Sequence, residues 1–271
     1  MRCALLAVLL LGACSPVAAP RQRPPSGVVS LNPCTDAILA EVADPGQISA
    51  LSAYSRDPAS SSMDVALARR LPTTTGTVEE IAALRPALVV SGTYTPEATR
   101  NTLAKLGIPL VELPIATTVE ESLVQVRQLA RLTGHPARGE ALVARITASL
   151  NAAAPPPGPA VSAVVWQSGG IVPGNDTLIT DLLRRTGFTS FSAAKGLRQA
   201  DYLPLERMLA DPPQVIIAAG GHGGEDRLLA HPALTSLSHT PRAALDPALL
   251  WCGGPTIMRT ASRLAQIRRS L

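Results

Sequence analysis

Residues able to do chemistry are few in this 271-residue chain: four Cys, four His, two Trp and three Tyr. Cys34 stands in VVSLNPCTDAIL, where a β-branched run precedes Asn-Pro, the cysteine and an apolar stretch at helical spacing. That order predicts a strand, a turn and a helix start, with the thiol at the helix N-terminus. A thiol so placed has a lowered pKa and can be a nucleophile, a soft ligand contact or half of a disulfide. A nucleophile needs a base. Of His135, His222, His231 and His239, only His222 stands on a loop of the kind that lines a site, the glycine-rich run 220–224. Ser168, in WQSGG, lacks the Gly-x-Ser-x-Gly elbow. No pair of histidines has zinc-ligand spacing, and no phosphate-binding glycine motif is present. No catalytic residue, protein-held metal or cofactor is expected, and His222 is assigned a polar contact to a ligand.

The N-terminus sets the compartment in which those cysteines work. MRCALLAVLLLGACSP has one positive charge, an apolar run and small residues before a cysteine, the pattern of a secretory signal. Leu11-Gly12-Ala13-Cys14 is similar to the bacterial lipoprotein signal, which implies residues 1–13 as signal peptide and an acylated Cys14. The competing reading is ordinary cleavage after Val17-Ala18-Ala19. Residues 14–26 are proline-rich and read as a tether to the membrane. No other apolar run approaches the ~18 residues that a membrane span needs. With 46% hydrophobic and 16% charged residues the chain can bury a core. A net charge of +4 with scattered basic residues, in an exported chain, argues against nucleic-acid binding. Cys3 leaves with the signal, so Cys34 and Cys252 remain in an oxidising compartment.

Elements that could position these residues follow from the patterning. Apolar runs at 28–31, 48–51, 87–90 and 109–113 alternate with helical patterns at 35–42, 78–84 and 96–106. Further strands are expected at 161–166, 215–218 and 248–251, and further helices at 178–186, 204–209, 226–237 and 255–267. Alternation of this kind predicts parallel sheets with crossover helices. The fold class is therefore α/β: two Rossmann-like lobes, 27–135 and 155–271, joined by one long helix at 136–154, with a ligand cleft between them. Tyr54, Tyr94, Trp166 and Trp251 fall at or just past expected strand ends, the edge where open parallel sheets bind ligands. Glycines at 169–170, 220–224 and 253–254 share that edge and let backbone approach a ligand closely.

VVSLNPCTDAILAEVA, LSAYSRDP, GTVEEIAALRPALVVSG, LAKLGIPLVEL, LPLERMLADPPQVIIAAGG and CGGPTIM together resemble a known family in order and spacing. It is that of the periplasmic substrate-binding proteins of ABC importers for cobalamin and ferric siderophores. The resemblance implies a monomer that binds a metal chelate between its lobes and delivers it to a permease and its ATPase subunit. Tyr54, Ser55, Asp57 and Pro58 are similar to the cobalamin binders, in which the tyrosine touches the corrin. Glu79 and Glu206 match the two lobe-tip acids that meet permease arginines. Gly92 stands where an aromatic is expected, and Cys34 and Cys252 lie outside the family pattern. The ligand stays open between a corrinoid, a ferric siderophore and haem, with Arg56 and Arg259 available for anionic chelates. A tethered enzyme using the same cleft is the rival class. For Cys34 and Cys252 three readings stand: a disulfide, two free buried thiols, or contacts to the ligand.

Overall fold

Parallel strands need a crossover connection, and the first lobe supplies a helical one after each strand that has a successor in its sheet. The computed structural model describes residue 24, residues 26–220, residues 232 and 237, and residues 239–271. Strands β1 (Val28–Ser30), β2 (Ile48–Ser52), β3 (Thr73–Thr74), β4 (Leu88–Gly92) and β5 (Leu110–Leu113) form one sheet in the order β3-β2-β1-β4-β5. All four pairings are parallel. Helices α1 (Pro33–Val42), α2 (Val65–Ala68), α3 (Val78–Leu84) and α4 (Glu97–Lys105) connect them. Strand order reverses between β1 and β4, so the loops after these two strands diverge and leave a crevice.

α1 begins where its sequence says it must. Asn32 caps it by accepting the Cys34 N–H at 2.8 Å, and Pro33 occupies the first turn, where no donor is needed. α5 (Val119–Leu132) and α6 (Pro136–Ala152) then form an antiparallel pair. Gly134, at φ 81°, turns the chain between them, and Pro136 opens the second helix.

The second lobe holds β6 (Val161–Gln167), a short β7 (Ile171–Val172), α7 (Leu178–Arg185), β8 (Phe188–Ser190) and α8 (Phe191–Ala194). It continues through β9 (Asp201–Tyr202), α9 (Leu205–Ala210), β10 (Val215–Ala219), β11 (Arg242–Ala244) and α10 (Thr256–Arg269). Its main sheet, β11-β10-β6-β8, is parallel, and β7 pairs antiparallel with β9 beside it. One buried apolar cluster runs through both lobes, from Ile38, Leu39 and Val126 to Leu142, Ile146, Val165, Ile257 and Leu264. The lobes therefore share a core beneath the cleft as well as the α6 connection.

One expected strand is misplaced. Residues 248–251 are not extended; Pro247–Leu249 form a 3₁₀ turn, capped by the Asp246 carboxylate accepting from Ala248 N–H at 2.9 Å. The strand is β11, whose half-exposed Arg-Ala-Ala carries no apolar signal. The expected helix at 226–237 falls almost wholly outside the described residues.

Candidate functional site

A cavity of about 740 Å³ lies between the lobes, at the C-terminal edge of the first sheet. The first lobe contributes the loops after β1 (Asn32, Cys34) and β4 (Thr93, Tyr94), with Ile115 and Gln125 beyond β5. Across the gap stand Gln167 at the end of β6, Ile171, Asp176, Gln199 and Trp251. Tyr94 is 84% exposed and Trp251 55%, so each presents a ring face with little protein over it.

Behind the first wall lies a buried polar cluster. Asp36, in the first turn of α1, is fully buried. Its Oδ2 accepts from Ser52 N–H at 3.0 Å and from the Ser55 hydroxyl at 2.6 Å. Its Oδ1 has no partner among the described residues. Burial raises its pKa to about 7, against the opposing pull of the serine hydrogen bonds. Asp36 thus staples α1 to the 53–56 turn that carries Tyr54. Tyr54 itself is 63% exposed and does not line the cavity.

Asp176, on the second wall, is held differently. Asn175 Nδ2 donates to it at 2.8 Å and Arg198 Nε at 2.8 Å, and in that order these hydrogen bonds lower its pKa.

Cys34 and Cys252 are joined in a disulfide with Cα atoms 5.0 Å apart, at the floor where the lobes meet. This closes the nucleophile, free-thiol and metal-thiolate readings together, because a bridged sulfur carries no ionisable proton. Cys34 still lines the cavity, but Cys252 is buried beneath it and cannot touch a ligand as expected.

Trp166 is the second correction. It is fully buried in a cluster with Val164, Val172, Phe191, Leu203 and Ile216, away from the cleft. β6 is an interior strand covered on both faces, so its last residue, Gln167, is the one that reaches the cavity. A strand end misplaced by one residue exchanges a core side chain for a site side chain.

Arg56 and Arg259 are both committed to backbone, donating to the carbonyls of Leu71 at 2.6 Å and Ser62 at 2.7 Å. Glu79 and Glu206 are exposed in the first turns of α3 and α9, one on each lobe. His222, Cys14 and the signal segment lie outside the described residues. The reading of the residues missed Asn32, Gln125, Gln167, Gln199 and Asp176 as cavity lining. For Asn32 a signal existed, the cap position between a strand and a helix. Among the described residues, no group of three or more His, Cys, Asp and Glu is placed to hold a metal.

Two parallel-sheet lobes over a shared floor, with a cavity at a strand-order reversal, define a bilobal solute-binding protein. The family of periplasmic binding proteins matches residues 28–239, and the chain belongs to it. No protein of curated function matches the sequence. Among solved structures, the periplasmic haem-binding protein HutB of Vibrio cholerae shares the fold at a TM-score of 0.74 and 18% identity, over 89% of this chain and 98% of that one. The vitamin B12-binding protein BtuF of Vibrio cholerae gives 0.67 and 17%, over 92% and 99%. Helicobacter pylori CeuE with Ni(II) bound gives 0.70 and 17%, over 92% and 85%.

Proposed function

We propose that this protein captures a metal chelate, specifically a corrinoid, in the interlobe cleft and delivers it to an ABC permease driven by its ATPase subunit. The observation that carries the reading is the cavity lining. It offers the amides of Asn32, Gln125, Gln167 and Gln199 between apolar surfaces, with Tyr94 and Trp251 as ring faces. Among its described residues there is no Lys, Arg or His, and the one charged group is the carboxylate of Asp176. A corrin edged with carboxamides satisfies such a lining by amide-to-amide hydrogen bonds. The propionates of haem, or a net-negative ferric catecholate, would find no unpaired cation among the described lining residues: Arg198, beside them, is already paired with Asp176 at 2.8 Å. Tyr54, outside the lining, contacts only what protrudes from the cleft, and His222 is a further candidate contact.

Titration with cyanocobalamin, haemin and a ferric catecholate, followed by tryptophan quenching, tests the choice. Quenching by cyanocobalamin at micromolar concentration or below is expected, with the ligand recovered unchanged. A preference for haemin overturns the corrinoid assignment, and silence toward all three overturns chelate binding.

In this reading Glu79 and Glu206, exposed on the two lobes, are the partners of permease arginines. Glu79→Lys with Glu206→Lys should abolish uptake in cells and leave ligand affinity unchanged. Weakened ligand binding in that variant contradicts the assignment. An acylated Cys14 anchors the protein in this reading, and the mass of the mature N-terminus checks it.

A further inference from the structure

Trp251 belongs by sequence to the second lobe, yet the segment that carries it is fastened to the first. Cys252, the next residue, is bonded to Cys34 in the first turn of α1. Gly253 lies against α5 so closely that a Cβ there would stand 2.2 Å from Ser122 Oγ and 2.8 Å from Ser122 Cβ. Gly254 donates its N–H to the same buried Ser122 hydroxyl at 2.7 Å. A Cβ on Gly254 would stand 2.6 Å from Ile38 Cγ1, and its φ of +59° disfavours a side chain in any case. Just beyond, Thr256 Oγ1 and Arg259 both donate to the carbonyl of Ser62, at 3.1 and 2.7 Å.

We infer that Cys34, Cys252 and Ser122 are positioning residues that hold the Trp251 ring in the cleft from the opposite lobe. The inference rests on the cleft being the ligand site, but not on which ligand fills it. Its consequence is geometric. Trp251 is tied to the first lobe, which carries Tyr94, through Cys252 and Gly254. It is tied to α10 through Leu249, whose carbonyl accepts from the Thr260 hydroxyl at 2.9 Å. Its spacing from Tyr94 is therefore preset at the seam of the lobes. A preset spacing lowers the ordering cost of binding a flat ligand.

The bridge is also the part of this anchor that chemistry can open. Cys34 lines the cavity and Cys252 is buried. A dithiol reductant entering the cleft therefore attacks the Cys34 sulfur, forms a mixed disulfide and expels the Cys252 thiolate, which takes up a proton. The second thiol of the reductant then closes on the first, leaving two protein thiols and a cyclic disulfide.

Hydrogen-exchange mass spectrometry and acrylamide quenching on the full mature protein test this, comparing the oxidised form, the dithiothreitol-reduced form and Cys34→Ser/Cys252→Ser. Trp166 is buried, so accessible quenching reports Trp251. Without the bridge, exchange across 250–255 should rise about tenfold or more while β6 and β10 stay protected, the mark of a local opening. Quenching should rise with it, and reoxidation of the reduced protein should reverse both changes. A rise spread evenly over both lobes would mean that the bridge merely stabilises the fold. No change at 250–255, or two free thiols in the protein as purified, would equally overturn the inference. In the ligand arm, cyanocobalamin affinity should fall about fivefold without the bridge, as a loosened anchor costs binding. If cyanocobalamin fails to bind even the oxidised form, the ligand reading falls while the exchange data still judge the anchor.

Discussion

The two walls of the cleft are anchored by different physics. The first wall hangs on hydrogen bonds: α1 and the Tyr54 turn are tied through the buried carboxylate of Asp36 and its serine partners. Behind the second wall, β6, β7 and α9 are held by apolar packing around Trp166, while its ring-bearing segment is held by a disulfide. One cleft thus combines a wall whose support titrates near neutrality with a wall whose titrating tie, Asp176 with Arg198, is held ionised there. In the neutral range, where Asp36 titrates and Asp176 is held ionised below the ordinary carboxylate value, proton concentration should therefore act through the first wall.

The largest effect that could break this comparison is at Trp166. Trp166→Ala should cost about 3–5 kcal/mol in urea unfolding, the range for removing a buried large aromatic, with no change in slope against pH. Trp166→Phe should cost less, since it also removes an indole N–H that has no partner among the described residues. A pH-dependent loss at this site would erase the distinction between the walls.

Asp36 provides the next test. Its pKa in the folded protein, about 7, lies above the ordinary value of 3.8, so the native state holds the proton more tightly than the unfolded chain. The stability this contributes is fully present below about pH 4, falls as pH rises, and is gone above about pH 7. Asp36→Asn keeps an acceptor for Ser52 and Ser55 but cannot ionise. It should flatten the decline between pH 4 and pH 7, worth a few kcal/mol in the unmodified protein, and match or exceed its stability at pH 8. Parallel stability curves for the two proteins would show that Asp36 stays ionised throughout.

The smallest effects lie at the ring faces. Trp251→Ala should weaken cyanocobalamin binding about tenfold, as loss of a fixed aromatic anchor does. Tyr94→Ala should weaken it about threefold or less, because a side chain 84% exposed must be ordered by the ligand that it contacts. Equal losses would mean that both rings are held alike.

Much of the frame was legible in the residues because the signals are local. Val28, Val89 and Val164 sit in β-branched runs, Asn32-Pro33 starts a helix, and Pro136 restarts one after Gly134. The observed α3, Val78–Leu84, has the span that its apolar spacing predicts, and α6 ends within two residues of expectation. Alternation of such elements implies parallel sheets, and parallel sheets imply a cleft at their carboxyl edges.

What the residues left open depends on contacts between distant parts of the chain. Cys34 and Cys252 are 218 positions apart, and whether their sulfurs meet is decided by how the 250–254 segment docks between α1 and α5. Trp166 and Trp251 look alike in sequence, each near an apolar run, but one is sealed inside a two-sided layer and the other stands on a loop above the floor. Asp36 reads as an ordinary first-turn acid until β2 and the 53–56 turn close over it. Periodicity and capping report on the nearest four or so residues. Burial, pairing and access to a ligand are set by packing across the whole fold, and only the tertiary structure decides them.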